Sequence, residues 1–284
     1  MQSLTSILAG TALSLAASTA LAAAPWETLP APAPLPALQR QGLVEHAGAR
    51  IWYGVVGAGK PVVLLHGGRA SSLGWGNQVP ALLAHDYQVI LVESRGHGRS
   101  TLGATPLSYR LMGSDVLAVM DALALGKAAL VGWSDGANTA ITLAMSDPQR
   151  IDKVVAFGPN VNMRFLTPPA PSPLFGQVEA RLQADYAALG GDPAGFARLS
   201  GAVRAMQARE PDYSDAELAA IQGPAITILG ADHDEFISLR HFSYIAATIP
   251  AARLAILPDV SHFAPWQDAD GFNRAMLRAL EDRP

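Results

Sequence analysis

Cysteine is absent from the 284-residue chain, which excludes disulfides, thiolate nucleophiles and thiolate-bound metals. Charge is scarce: Asp, Glu, Lys and Arg supply 15% of the residues, against 50% apolar. A disordered chain needs the reverse balance, so the bulk of this sequence folds. Basic excess is missing as well. Lys and Arg number 20 against 24 acidic residues, a net charge of −4. Nucleic-acid binding calls for a clustered basic surface, so no nucleic-acid partner is expected. No internal repeat is visible, and 26 glycines with 21 prolines demand many turns without a collagen-like period. The length suits one large domain, or one domain carrying an insertion.

Residues 1–24 carry no charged side chain. The run ILAGTALSLAASTALAAA reads as the apolar region of a secretory signal peptide, followed by the small-residue site Ala20-Leu21-Ala22. Only the α-amine supplies the positive charge that usually precedes such a run. An uncleaved anchor is the alternative, but the Ala, Ser and Thr content makes the run weakly hydrophobic. The expectation is residues 1–22 as signal peptide, a periplasmic or secreted mature protein, and no stable membrane insertion after cleavage. Residues 23–41 are rich in Pro and Ala. Within them 25–36 (PWETLPAPAPLP) favours extended polyproline geometry, as a stiff tether or a segment lying on the surface.

The remainder alternates two patterns. Residues 42–56 alternate loosely and turn at Gly57-Ala58-Gly59, as an antiparallel strand pair does. Six short apolar runs follow, at 61–65, 87–92, 128–131, 153–157, 225–229 and 253–257. Such runs suit strands buried on both faces of a parallel sheet. Helical patterns separate them. Met112, Val116, Val119, Met120 and Leu123 share one face, with Gly126 expected just past the helix end. Ser214 and Glu217 have capping-box spacing before Leu218 and Ile221. The expected fold is α/β: a mostly parallel central sheet flanked by helices, formed by residues 42–158 and 216–284. The stretch 159–215 is too long for a simple crossover. It is expected to be an inserted helical cap.

One motif carries chemistry. Gly132-Trp133-Ser134-Asp135-Gly136 is G-x-S-x-G between an apolar strand and a helix, the context of a nucleophile elbow. A sharp strand-to-helix turn strains the serine and stands its oxygen clear at the helix N-terminus. The bland reading, a Gly-rich turn with an idle serine, weakens once strand and helix flank it. A serine is a poor nucleophile without a base and an orienting acid. His262 follows the last apolar run, where such a base belongs. His46 and His85 lie away from strand ends, His241 falls in a helical run, and His97 sits in a Gly/Arg turn. The acid should follow the run 225–229, where both Asp232 and Asp234 occur; a carboxylate that must clear the strand end and turn back favours Asp234. Oxyanion stabilisation needs backbone N–H groups, expected from Asp135 and from Gly68 in His66-Gly67-Gly68. His66 is expected to brace that loop and not to transfer protons.

The ordered set HGG, ESRGHGRS, GWSDGA, HDEF and SH resembles the α/β-hydrolase superfamily, from about residue 42 to the end. The elbow is similar to the esterase branch that includes valacyclovir hydrolase. That resemblance implies an α/β-hydrolase fold with Ser134, Asp234 and His262 as the triad and Gly68 and Asp135 as oxyanion donors. Glu93 stands where such proteins usually have Asp, and Ala231 where glycine is usual; neither change removes a catalytic group. Trp133, Phe263 and Tyr109 are candidate substrate-binding residues, with Trp75, Phe236 and Trp266 also near in sequence. Arg69 and Arg95 could meet an anionic substrate, although salt bridging within the loops is the plainer reading. No metal-ligand spacing and no cofactor motif is present, so neither is expected. The expectation is a serine hydrolase of small carboxylic esters working through an acyl-enzyme. Its alternative is a lactonase or carbon–carbon bond hydrolase with the same triad. A non-enzymatic scaffold is set aside because all three triad candidates are kept, and a haloalkane dehalogenase because Asp would replace Ser134.

Overall fold

The computed structural model describes residues 23–166 and 168–282; the signal-peptide reading of residues 1–22 lies outside them. Strands β1 (Arg40–His46) and β2 (Ala49–Val56) pair antiparallel. They join β3 (Lys60–Leu65), β4 (Tyr87–Val92), β5 (Ala128–Trp133), β6 (Ile151–Phe157), β7 (Ala225–Ala231) and β8 (Arg253–Leu257) in one sheet of order β1-β2-β4-β3-β5-β6-β7-β8. From β4 to β8 every neighbouring pair is parallel. After β3 the chain moves to one side, and after β4 it crosses to the other. The carboxyl ends of β3 and β5 therefore adjoin at the reversal, where open α/β sheets bind ligands.

The apolar runs read as doubly buried strands for a visible reason. Val63 and Leu65 point into one core layer with α2 (Tyr109–Ala122), α3 (Asp135–Ser146) and α7 (Leu239–Thr248). Val62 and Leu64 point into the other, with α1 (Gln78–Leu83), the short α8 (Ala264–Gln267) and α9 (Ala269–Glu281). Strand β8 breaks that expectation. It closes the edge of the sheet, and Leu254 and Ile256 remain 38% and 37% exposed. Helix α2 also ends earlier than its glycine suggested. Ala124, at φ 55°, takes the left-handed position instead of Gly126, and the amides of Ala124 and Leu125 bond back to Asp121 and Met120. The capping box of Ser214 and Glu217 forms as the spacing predicts and opens α6 (Asp215–Ala219).

The inserted stretch folds as helices α4 (Phe175–Ala188) and α5 (Pro193–Gln207) above the carboxyl ends of the strands. Of the two readings of residues 25–36, the segment lies against the surface: Leu29, Leu35 and the following Leu38 pack on the core layer of α9.

Arg95 does not reach a ligand site. Its guanidinium is fully buried and forks onto Asp115, with Nε to Oδ2 at 2.7 Å and Nη2 to Oδ1 at 2.5 Å. The same carboxylate accepts from His46 Nδ1 at 2.8 Å. Removing one member strands a buried charge. Asp115→Ala is expected to cost about 3–5 kcal/mol, measured as the shift in denaturant midpoint. The double variant Arg95→Met/Asp115→Leu should recover most of it.

Candidate active site

Ser134 stands at φ 55°, ψ −117° between β5 and α3. This is a region that a side-chain-bearing residue occupies only when its surroundings force it. Two glycines do the forcing. A Cβ at Gly132 would collide with the backbone of Gly136 and Ala137, and one at Gly136 with the carbonyl of Leu65. The elbow is thus packed between its own helix and the end of β3. The Ser134 amide donates to the Phe157 carbonyl at 2.8 Å, which locks the turn to β6 as well.

The base and the acid come from the two loops after β8 and β7. His262 Nδ1 donates to Asp234 Oδ2 at 2.8 Å, with the carboxylate nearly buried. Asp234 Oδ1 accepts the amides of Phe236 and Ile237, so the carboxylate is aimed by its own loop. Asp232 is left with the other task open to it: it accepts the amides of Asp259 and Val260 and shapes the turn before His262. Burial acts to push the His262 imidazole down. Asp234, by charge and hydrogen bond, together with Glu235 and Asp135, outweighs burial and holds it above the ordinary histidine value.

The loop after β3 is braced by two imidazoles of fixed tautomer. His66 Nε2 accepts the Ser94 amide, so its Nδ1–H donates to the Gly67 carbonyl at 2.8 Å. His97 Nε2 accepts the Arg69 amide at 2.9 Å, and its Nδ1–H donates to the Arg95 carbonyl. Burial lowers both, His97 to about 3, so both stay neutral and both braces hold.

Beneath the cap lies a cavity of about 540 Å³. Gly68, Tyr109, Trp133, Ser134, Asp135, His262 and Phe263 all line it, with Asp234 behind the imidazole. Trp75 does not line it: it is buried edge-on to Trp133 at 6.2 Å. Arg69 does, but its guanidinium is 2.5 Å from Glu179 of α4. Several residues escaped the sequence pattern. Glu235 Oε2 accepts the His262 amide at 3.1 Å. Gln207, at the end of α5, donates to both Asp135 carboxylate oxygens at 3.1 and 3.0 Å, beside the Tyr109 hydroxyl at 2.7 Å. Burial raises the Asp135 carboxyl, although Tyr109 and Gln207 oppose it. Nothing periodic marks such residues; only the chain's path brings them in. Outside the cavity, Asp232, His233 and Asp259 place one ligand atom each within 4.8 Å of one another, all exposed.

The family described as the alpha/beta hydrolase fold matches residues 60–203. The chain is 28% identical over 262 residues to the 2-hydroxy-6-oxo-6-phenylhexa-2,4-dienoate hydrolase of Burkholderia cepacia, covering 81% of this chain and 91% of that one. It is 28% identical over 263 residues, with the same coverage, to the 2-hydroxy-6-oxononadienedioate/2-hydroxy-6-oxononatrienedioate hydrolase of Burkholderia vietnamiensis. Among solved structures, a hydrolase from Pseudomonas aeruginosa PA01 superposes with TM-score 0.71 at 25% identity, covering 86% of this chain and 99% of that one.

Gly158, at φ 61°, leaves the imidazole its place: a Cβ there would sit 2.7 Å from His262 Cε1. Gly158→Ala is expected to displace the ring and lower kcat/KM by roughly 100-fold. Hydrolysis of p-nitrophenyl acetate by the folded variant measures this.

Proposed function

The chain belongs to the family of the alpha/beta hydrolase fold, and from that premise we propose that it is a serine hydrolase cleaving the carbon–carbon bond beside a ketone. The substrate class is an aryl- or alkyl-ended 2-hydroxy-6-oxo-dienoate. The observation that carries the chemistry is the strained Ser134 sharing one cavity with an imidazole bonded to Asp234. His262 takes the Ser134 proton as the serine oxygen attacks the carbonyl. The oxyanion that forms meets the amide of Asp135, first residue of α3 with no intrahelical acceptor for its N–H, and that of Gly68. With the 2-hydroxyl proton first moved to carbon 5, the carbon–carbon bond breaks to leave an enolate, and that departing fragment takes the proton from His262. Water then adds to the acyl-serine, giving a carboxylic acid and free Ser134.

The names of both curated relatives support the bond type. The cavity supports the choice between their substrates. Asp135, Glu179 and Glu210 line it against Arg69, which already pairs with Glu179. Fixed carboxylates oppose a dianion. Phe175, Val178 and Leu182 add an apolar wall, which suits an aryl or alkyl end. A small carboxylic ester meets the same groups and releases an alkoxide, a better leaving group than a carbanion, so ester turnover serves as the assay of the machinery.

Ser134→Ala is expected to lower kcat by roughly 10⁶-fold on both p-nitrophenyl acetate and the 6-phenyl dienoate. Equal rates in variant and parent would remove the serine mechanism. In the parent, kcat/KM for the 6-phenyl monoacid should exceed that for the dioate; the reverse order would reject the charge argument.

The base must be neutral to act, so kcat/KM rises with pH as His262 loses its proton. Because its folded value is raised, that limb should lie above about 6.5, the free-histidine value. Asp234→Asn removes the main raising charge and leaves burial, so the limb should move to lower pH. The rate should drop by about 10⁴-fold.

A further inference from the structure

The N-terminal segment touches the acid loop, the side chain beneath the base loop and the cap helix α4. At 25–27 it makes one helical turn, and Trp26 lays its ring flat on His233, centroids 3.7 Å apart and 6° from parallel. His233 immediately precedes Asp234. The carbonyls of Trp26 and Thr28 both accept from Gln267 Nε2, at 3.2 and 3.1 Å. The other end of the same amide, Gln267 Oε1, accepts the amide of Ser261 at 2.8 Å, and Ser261 immediately precedes His262. Further on, Arg181 of α4 donates to the Pro30 carbonyl while its guanidinium lies 4.8 Å over the ring of Trp266, which lines the cavity. Ala33 then packs its carbonyl so tightly on Gly76 that no Cβ fits there. The segment is fastened by its half-buried Leu29, Leu35 and Leu38 on the core.

These contacts converge. One stretch of chain stacks on the residue before the acid, accepts from the side chain that holds the residue before the base, and accepts from the cap helix over the pocket. We infer that residues 25–38 form a strap, and that Trp26 on the strap and Gln267 of α8 beneath it are positioning residues: Trp26 acts through His233 on Asp234, and Gln267 acts through Ser261 on His262. Neither touches the reacting atoms. Their effect is to hold the imidazole and carboxylate in register, a geometry in which small displacements cost large factors in rate. Gln267 is suited to the task because an amide donates and accepts at once. It reads the strap with its nitrogen and the base loop with its oxygen.

The test uses Trp26→Ala, Trp26→Phe and Gln267→Glu in the full chain. A glutamate at 267 can still accept the Ser261 amide but cannot donate to the two strap carbonyls, so it cuts the tie without removing the loop's acceptor. Turnover of p-nitrophenyl acetate, the pH profile of kcat/KM, labelling of Ser134 by phenylmethanesulfonyl fluoride and the downfield His262 Nδ1–H proton resonance are measured at 25 °C, below the melting of every variant. The groups facing His262 are Asp234, Glu235 and Asp135; the variants alter none of them, and Gln267→Glu adds one carboxylate beside Ser261. For Trp26→Ala and Gln267→Glu, kcat should fall about 10- to 100-fold with KM within about twofold. In Trp26→Ala the acid limb should move to lower pH; in Gln267→Glu the added carboxylate opposes that shift, so its readouts are kcat and the resonance, and in both variants the resonance should weaken or vanish. Trp26→Phe, which keeps a ring to stack, should restore most of the loss. Parent-like kcat and resonance in both Trp26→Ala and Gln267→Glu, with a parent-like pH limb in Trp26→Ala, would overturn the proposal, including where Tm falls, because the strap would then only stabilise the fold. The resonance needs no turnover. A parent enzyme with the resonance but without Ser134 labelling would therefore indict the serine mechanism and leave the strap to be judged on the resonance alone.

Discussion

Ser134 in a left-handed conformation is the constraint from which the rest of the site follows. Such a residue costs on the order of 1–3 kcal/mol, so the surrounding packing must over-determine it. Register supplies this: Leu65 of β3 lies opposite Gly132 of β5, which puts the loop after β3 level with the elbow. Gly136 is pressed against the end of β3 and Gly132 against the first turn of α3. With no cysteine in the chain, close packing and buried polar pairs do all of this holding. The strain is useful because it lifts the hydroxyl clear of both elements at the end of a helix dipole, where negative charge is favoured.

Two buried imidazoles brace the loop after β3 and a third lines the cavity with that serine, and their partners give them opposite fates. His66 and His97 accept backbone amides at Nε2. An imidazole that must accept cannot be protonated, and burial reinforces the neutral form. His262 is buried as deeply, yet it is bonded to one carboxylate and faces two more. The same residue type therefore serves as rigid bracing in two places and, in the third, is held ready to take a proton, as the proposed base requires. Environment makes the assignment.

What could be read from the sequence was whatever is local. The apolar runs located β3 to β8; in β3 to β7 alternate residues meet two core layers. The elbow was legible because Gly132 and Gly136 are needed within five residues of each other. Asp234 could be favoured over Asp232 by its distance past the strand end, and Asp232 turned out to hold the following loop. What escaped depends on neighbours that the chain brings in late. Strand β8 has the composition of an interior strand but no strand beyond it. Gly126 offered a helix stop that Ala124 takes, two residues earlier. Glu235 is next to Asp234 and yet serves the His262 backbone, a relation without sequence spacing. The segment 25–36 has polyproline composition either as a tether or as a segment lying on the surface, and only neighbours distant in sequence, the α9 core layer, the ring of His233 and the amide of Gln267, decide between them.

Asp135 joins catalysis to selectivity. Its amide, at the start of α3, has no intrahelical acceptor and is the proposed oxyanion donor, while its carboxylate accepts from Tyr109 of α2 and from Gln207 of the cap. The Tyr109 amide in turn donates to Glu210, just beyond the cap's last long helix. The cap is therefore hydrogen-bonded to the residue that follows the nucleophile, and cap and elbow share one polar network. Residues in one network do not contribute independently. A cap substitution that reshapes the apolar wall also disturbs the setting of an oxyanion donor, and a change at Asp135 also loosens the roof over the substrate. Alpha/beta hydrolases vary their substrates by varying what covers a shared sheet. In this chain the covering is hydrogen-bonded to the elbow, so under the proposed mechanism a change in the cap reaches the oxyanion donor as well as the substrate wall.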